Sequence, residues 1–187
     1  DNPMTKEKVE LGKLLFFDKR LSKDQTLSCA TCHIPEHGYA EPLPVSHGVK
    51  NQIGPINAPP VINSAYALSM FWDGRMKTLE EQAAGPVGNP IEMGHDINEV
   101  ANELNKIPEY VELFDNVFGQ PPSQDTITKA IAAFERTLLA GNSPFDKFQK
   151  GDEKAIGADA KEGWQLFQQK LCSFCHQPPV FSNWSFF

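Results

Sequence analysis

Residues 27–38 read LSCATCHIPEHG, and residues 170–179 read KLCSFCHQPP. Each stretch contains the pattern C-x-x-C-H. The chain has 4 cysteines, and the two motifs use all of them. The motif residues are Cys29, Cys32 and His33 in the first stretch and Cys172, Cys175 and His176 in the second. A pattern that takes up every cysteine indicates a specific chemical use for the thiols.

Three kinds of site use a C-x-x-C pair: a redox disulfide, a zinc site and a haem c attachment site. In haem c the thiols form thioethers with the porphyrin, and the following histidine binds the iron. A redox disulfide is expected after a strand, whereas the residues before Cys29 predict a helix and a loop. One zinc ion bound by both motifs would span about 140 residues, against roughly 12–20 in known small zinc sites. The motifs therefore predict two covalently attached haem c groups.

The segments that precede the two motifs are similar. KVELGKLLFFDKRL, residues 8–21, and AKEGWQLFQQKL, residues 160–171, share a glutamate and a glycine followed by a Leu-Phe pair. The shared pattern predicts an internal duplication, in which a helix leads into a haem site twice.

Helical spacing of apolar residues dominates the chain between the motifs. Asp96 and Glu99 resemble a capping box in front of one helix, and a second helix is predicted to begin at Pro108. A third is predicted from about Asp125 to Gly141. These patterns predict a mainly α fold.

Two segments predict how the helices are organised. Residues 34–64 are rich in proline and glycine and have no sustained period, so they predict a long functional loop after the first motif. Residues 141–152, GNSPFDKFQKGD, predict a joint between domains. We therefore expect two cytochrome c-like haem domains with long loops, one over residues 1–140 and the start of a second over residues 141–187.

The composition and the chain ends restrict the remaining possibilities. The net charge of −7 argues against a nucleic-acid partner, and no apolar run approaches the roughly 18 residues that span a bilayer. A chain that starts at Asp1 is expected of a mature product whose leader has been removed. Only eleven residues follow His176, so the second domain is expected to be incomplete. Its ending is aromatic, with Phe181, Trp184, Phe186 and Phe187.

Several motifs occur in the order seen in bacterial dihaem cytochrome c peroxidases. They are ELGKLLFFDKRLS, CATCH, GPINAPPVINSAY, FWDGR, LEEQAAGPVGNPIEM, IPEY, AFERTL and FDKF. FWDGR with the Gln-x-x-Gly-Pro and Glu-Met segments discriminates best, because C-x-x-C-H alone marks any c-type cytochrome. The whole chain resembles somewhat more than the first half of such a peroxidase.

The resemblance implies an activity, cofactors and partners. The haem on the first motif would react with hydrogen peroxide, and the haem on the second would receive electrons from a small c-type cytochrome or a copper protein. The implied enzyme is a periplasmic cytochrome-c peroxidase that reduces peroxide to water, assembled as a homodimer. Two alternatives stay open: a MauG-like enzyme that oxidises a partner protein, and a dihaem electron-transfer protein without peroxidase activity.

The resemblance also implies catalytic roles for three residues. Glu92 matches the glutamate that moves the peroxide proton; without the motif it would be interpreted as a solvated loop acid. Gln82 matches the amide that orients peroxide. Trp72 matches a tryptophan between the two haems, although a residue of this size is by default a core residue. Asp73 and Arg75 are predicted to form an ion pair that supports the loop.

Two further residues are candidate metal ligands. His47 matches a histidine that binds the first haem iron in the resting enzyme, but its spacing to the following Gly-Pro is two residues longer than in the family. It is therefore either that ligand or a solvent-facing loop residue. Asn57 matches a ligand of a calcium ion, which needs six to eight oxygens. His37 and His95 are predicted at the surface. The methionines predicted to pack rather than bind iron are Met70, Met76 and Met93.

Overall fold

The computed structural model describes residues 2–183, and the secondary structure in that range is almost entirely helical. The helices are α1 (Lys6–Phe17), α2 (Cys29–Cys32), α3 (Leu79–Gly88), α4 (Ile97–Leu104), α5 (Pro108–Phe118), α6 (Gln124–Glu135), α7 (Pro144–Gln149) and α8 (Ala158–Gln169). Strand pairing among these residues is limited to isolated bridges. The predicted mainly α class is confirmed. No helix within residues 2–183 has the length and apolar character of a membrane span.

The chain divides into two compact units, the first ending at Leu138 and the second beginning at Leu139. The first unit contains α1 to α6 and the first C-x-x-C-H motif. The second contains α7, α8 and the second motif. Each motif therefore belongs to a unit of its own.

The core of the first unit is built on the contact between α1 and α6. Leu15 and Phe16 of α1 are fully buried, and the Phe16 ring meets the Phe134 ring of α6 edge-on, with 5.2 Å between centroids. The two backbones approach closely at Gly12, where a Cβ atom would lie 1.8 Å from the Ala130 carbonyl oxygen. A glycine is required here because any side chain would collide with α6.

The predicted helix starts are confirmed, with one local difference. The Asp96 carboxylate accepts hydrogen bonds from the backbone N–H groups of Asn98 and Glu99 and so caps α4. The Glu99 side chain does not complete a capping box, because it pairs with Lys23 at 2.6 Å. Helix α5 begins at Pro108 as predicted.

Helix α6 ends at Glu135, so its predicted extension to Gly141 is wrong. The Thr137 hydroxyl donates to the Phe134 carbonyl oxygen at 2.6 Å, which competes with the helical hydrogen-bond ladder. The Leu138 carbonyl oxygen then accepts a hydrogen bond from the Asn63 backbone N–H at 2.9 Å. A tertiary contact with the long loop thus replaces the last predicted turns.

The prediction of a surface position is confirmed for His37 and wrong for His95. His95 is only 2% exposed, and its backbone N–H donates to the Val87 carbonyl oxygen of α3. Its ring lies 3.5 Å from Glu99 and 3.4 Å from Glu103, which cover it. The methionines pack as predicted, with Met70 and Met93 buried and Met76 against the cluster of Met70 and Leu79.

The second unit is organised around an aromatic cluster. The Phe145 ring lies 5.0 Å from the Trp164 ring and 5.5 Å from the Phe181 ring, and Trp164 stacks on Phe167 at 5.6 Å. The cluster joins α7, α8 and the segment after the second motif. Trp184, Phe186 and Phe187, the rest of the aromatic ending, lie outside the described residues.

Candidate functional site

The first motif forms a single helical turn, α2. The Ser28 backbone N–H donates to the Thr31 hydroxyl at 2.9 Å at its start, and the His33 N–H donates to the Cys29 carbonyl oxygen at 3.0 Å at its end. The Phe16 ring of α1 lies behind the turn, 6.4 Å from the His33 ring. This short turn places both thiols and the imidazole at one cleft.

The cleft consists of two adjoining cavities that share lining residues, among them His33, Gln82 and Glu92. The predicted long loop supplies one wall and α3 with the turn after it supplies another. Every predicted site residue of the first unit lines this cleft. They are Cys29, Cys32, His33, His47, Asn57, Trp72, Gln82 and Glu92.

The state of the two thiols separates the three kinds of site. Burial raises the pKa of Cys29 to about 12 and that of Cys32 to about 11, so both are neutral thiols at pH 7. Disulfide exchange uses the thiolate, which these pKa values disfavour. Moreover, no three His, Cys, Asp or Glu side chains within the described range are grouped to hold a metal ion. Two neutral thiols beside an imidazole in an enclosed cleft fit a covalently attached porphyrin.

His33 has the protonation state that an iron ligand requires. Desolvation by burial lowers the pKa of its imidazole and outweighs the opposing effect of the Glu41 carboxylate. The ring is therefore neutral at pH 7, and a neutral imidazole is a common metal ligand. His33 would bind the iron of a haem attached through Cys29 and Cys32.

Gln82 and Glu92 face the cleft from α3 and from the turn that follows it. Pro86, four residues after Gln82, has no N–H group, so it leaves the Gln82 carbonyl without its helical hydrogen bond. The Glu92 carboxylate accepts a hydrogen bond from the Asn89 amide at 2.7 Å. Burial raises the pKa of Glu92, opposed by the Asn89 bond and by the charge of Arg75. Glu92 is thus half-buried in the cleft wall rather than a solvated loop acid.

Trp72 and Asn57 are neighbours at the cleft. The Trp72 indole N–H donates to the Asn57 carbonyl oxygen at 2.8 Å, and the indole is 59% exposed. The default interpretation of Trp72 as a core residue is therefore wrong. The Asn57 amide donates to the carbonyl oxygens of Glu41 and Leu43, so its nitrogen serves to hold the loop.

The ion pair predicted next to Trp72 is present. Arg75 lies 2.8 Å from Asp73, and its guanidinium stacks over the Phe71 ring, 3.5 Å from the centroid. These contacts fold the FWDGR segment back on itself. Because both charged side chains are exposed, the pair contributes little to stability and serves mainly to shape the loop.

His47 lies in a loop that is bound to the Glu92 turn. Its Nδ1 atom is 3.0 Å from the Asn51 side-chain oxygen, and it pairs with Ile53 in an isolated bridge. The next residues fix the loop, because the Val49 N–H donates to the Glu92 carbonyl oxygen at 2.8 Å. The His47 ring thus lines the cleft from the long loop.

Two cleft residues were missed by the sequence reasoning, Asn89 and Glu135. Glu135 is 5% exposed on α6, and its Oε2 atom is buried without a hydrogen bond among the described residues. Burial raises its pKa to about 8. A signal was readable, since Glu135 stands four residues after Ile131 on the apolar face of the helix. For Asn89 the sequence carried no comparable signal.

The second motif repeats the local geometry of the first. The His176 N–H donates to the Cys172 carbonyl oxygen at 3.0 Å, as His33 does to Cys29. The His176 ring lies 6.3 Å from Phe167 of the preceding helix, against 6.4 Å in the first motif. The shared geometry supports the predicted duplication.

Comparisons with known proteins agree with this geometry. The family model for di-haem cytochrome c peroxidase matches residues 6–154. The chain is 45% identical over 188 residues to the methylamine utilization protein MauG of Methylorubrum extorquens, covering 99% of the chain and 53% of that protein. It is 45% identical over 185 residues to the cytochrome c peroxidase Ccp of Escherichia coli, covering 98% of the chain and 40% of that protein.

A solved structure extends the likeness to the fold. A MauG-like protein associated with microbial copper homeostasis superposes with a TM-score of 0.87 at 32% identity, over 98% of this chain and 57% of that one. The chain spans about half the length of the curated relatives it matches. The family match covers most of the chain, including the first motif, Gln82 and Glu92. The chain belongs to the di-haem cytochrome c peroxidase family.

Proposed function

We propose that this chain forms the peroxide-reacting part of a periplasmic dihaem enzyme that reduces hydrogen peroxide to water. A small c-type cytochrome or a copper protein would supply the electrons, and the assembly would be a homodimer. One observation carries the proposal: the haem-attachment residues of the first motif line the same cleft as Glu92 and Gln82. A carboxylate and an amide are thus beside the place where the haem would bind.

Each of the site residues at this cleft would have a separate role. Cys29 and Cys32 would anchor the porphyrin and His33 would bind its iron. The haem supplies the redox chemistry when it is bound. Gln82 would orient peroxide through its amide. Glu92 would take the proton from the near peroxide oxygen and return it to the leaving oxygen. The raised pKa of Glu92, caused by burial, brings it nearer to neutral pH, where both steps are favourable.

The second motif and Trp72 would serve electron delivery. Cys172, Cys175 and His176 would hold the second haem, which accepts electrons one at a time from the donor. Trp72 would shorten the electron path to the first haem. The acidic net charge of −7 supports a basic cytochrome as the donor.

Two metal-ligand roles complete the proposal. His47 would bind the first haem iron in the resting enzyme and leave on half-reduction, which its position in the cleft wall supports. Spectra of the oxidised and half-reduced protein test this, because a high-spin signal from the start would contradict it. Asn57 would contribute an oxygen to a calcium ion, and elemental analysis of the purified protein is the corresponding measurement.

The decisive experiment replaces the proton carrier. Glu92→Gln keeps the shape of the side chain and removes its proton chemistry. We expect peroxide consumption with a reduced c-type cytochrome to fall by about 10²–10⁴-fold, the usual contribution of a general acid–base group. Glu112→Gln, at an exposed position on α5, is the matched control and should leave turnover unchanged. Full turnover in Glu92→Gln would show that Glu92 is not the proton carrier, whereas no peroxide consumption by the unmodified protein would favour an electron-transfer protein.

A MauG-like activity is the second candidate, because the MauG relative and the peroxidase relative are equally identical to the chain, at 45%. Such an enzyme would use peroxide to oxidise side chains of a partner protein. Slow consumption of reduced cytochrome, together with peroxide-dependent oxidation of a partner protein, would favour it over the peroxidase.

A further inference from the structure

Asn89 ends α3 and holds the segment that carries Glu92. Its side-chain Oδ1 accepts a hydrogen bond from the Ile91 backbone N–H at 3.0 Å, and its Nδ2 donates to Glu92 Oε1 at 2.7 Å. Oxygen and nitrogen of an amide are assigned from their partners. The Ile91 N–H can only donate, so the oxygen must face it and the N–H₂ group must face Glu92.

The backbone of Glu92 is fixed independently of this contact. Its N–H donates to the Asn89 carbonyl oxygen at 3.0 Å, and its carbonyl oxygen accepts from the Val49 N–H at 2.8 Å. The His47 loop lies directly against this turn, because a Cβ atom on Gly48 would be 1.7 Å from the Ile91 carbonyl oxygen. These backbone contacts leave only the side-chain torsions of Glu92 undetermined. Asn89 is the residue whose side chain donates a hydrogen bond to the carboxylate.

The two carboxylate oxygens are therefore not equivalent. Oε1 receives an N–H bond, and an amide N–H₂ group has no lone pair with which to accept a proton in return. No described residue donates to Oε2, which leaves that atom for the cleft. We propose that Asn89 is a positioning residue that confines proton transfer to Oε2 of Glu92 and favours the ionised form that receives the proton. This inference rests on the proposed role of Glu92 as the proton carrier.

The charged and titratable surroundings determine what the loss of this bond would do. Burial raises the pKa of Glu92, while the Asn89 bond and Arg75 of the FWDGR segment lower it. The other titratable groups of the cleft are Cys29, Cys32 and His33 on the first motif, His47 on the loop and Glu135 on α6. Because the Asn89 bond acts against burial, removing the donor must raise the pKa of Glu92.

Asn89→Asp removes the N–H₂ donor and keeps the rest of the side chain. Aspartate keeps an oxygen for the Ile91 N–H but presents a second carboxylate oxygen to Glu92. Two carboxylates that share one site raise the pKa of one of them strongly. We expect the acidic limb of the pH profile of peroxide consumption to move up by at least about one pH unit. Asn102→Asp, at an exposed position on α4, is the matched control and should leave the pH of the acidic limb unchanged.

A second readout avoids peroxide turnover. Hydrogen cyanide loses its proton when it binds a haem iron, so the pH dependence of cyanide association with the half-reduced holoprotein should move in the same direction. A merely structural role for Asn89 would lower both rates at every pH without moving either limb. If Asn89→Asp does not retain its haem, Asn89→Ala decides, with the same expected direction.

The Glu92→Gln variant distinguishes a failure of the role proposed for Glu92 from a failure of the role proposed for Asn89. If Glu92→Gln retains full turnover, the proposed role of Glu92 as the proton carrier is wrong and the inference about Asn89 fails with it. If Glu92→Gln loses turnover while both Asn89 variants have the pH limbs of the unmodified protein, the role of Asn89 is overturned and the proposed function stands.

Discussion

Glu135 is a carboxylic acid on the apolar face of α6, and its neighbours do not neutralise it. Arg136 follows it in the chain, but both guanidinium nitrogens bind Glu80, at 2.7 and 2.9 Å. Burial raises the pKa of Glu135 to about 8, and the charge of Glu80 adds to this while Arg136 opposes it. At pH 7 the wall of the haem cleft therefore contains a neutral carboxyl group.

This group should make stability depend on pH. Because its folded pKa, about 8, exceeds the usual 4.5, its contribution is complete below pH 4.5 and is lost as the pH rises through 8. The loss would be on the order of 3–5 kcal/mol. We expect the thermal midpoint of the holoprotein to fall between pH 5 and about 9, and to fall less in Glu135→Gln. Glu112→Gln, exposed on α5, should follow the unmodified protein; equal slopes in all three would contradict the prediction.

Single residues were predictable from the sequence where chemistry depends on residue type and spacing. Both C-x-x-C-H motifs could be assigned in this way, and the resemblance supplied Gln82 and Glu92. Asn89 could not be found, because its importance comes from one hydrogen bond to a residue three positions away. Burial was also unreadable for His95, since its backbone N–H is bound to Val87 of α3, a contact that forms only when the chain folds.

At the scale of elements, the contact between α1 and α6 positions the first motif. Phe16 packs on Phe134 in this contact and also lies behind His33, so a change in helix spacing reaches the haem site. The repeated segment before the second motif places Gly163 on α8, where a Cβ atom would meet nothing within 4 Å among the described residues. Among the described residues, Gly12 thus lies in a close helix contact and Gly163 does not.

Gly12→Ala and Gly163→Ala should have opposite effects. At Gly12 the new Cβ would lie 1.8 Å from the Ala130 carbonyl oxygen, so the helices must separate, at a cost of about 1–3 kcal/mol. At Gly163 of the 187-residue chain, the change should raise stability by up to about 1 kcal/mol through helix propensity. Denaturant unfolding of the two holoproteins measures both effects. Equal stability of Gly12→Ala and the unmodified protein would show that the crossing can relax.

Helix starts were more predictable than helix ends. Asp96 and Pro108 mark starts because caps and prolines act on their own segment. The end of α6 was misplaced since it depends on Asn63, which is far away in sequence. Trp72 was also unreadable as an exposed residue, because its place is set by a bond to the Asn57 backbone in a different part of the loop. Local signals define elements, and tertiary contacts decide where they stop.

At the scale of the whole molecule, one local arrangement of helix and motif occurs twice. In each unit a helix with a Leu-Phe pair precedes a C-x-x-C-H turn, and a phenylalanine of that helix packs on the motif histidine. The first motif shares its cleft with Glu92 and Gln82. Under the proposed function the first site reacts with peroxide and the second only passes electrons, so the two sites should be separable by mutation.

Replacing both cysteines of the second motif, Cys172→Ser with Cys175→Ser, tests this separation. Because the first motif is held by contacts within its own unit, mass spectrometry should show the loss of one haem and not two. Peroxide consumption with a reduced cytochrome should fall to background, since the donor has lost its entry point, while the haem of the first unit should stay covalently attached. Cys29→Ser with Cys32→Ser is the reciprocal variant and should lose the haem of the first unit. Undiminished turnover after the change at the second motif would mean that the donor reaches the first haem directly.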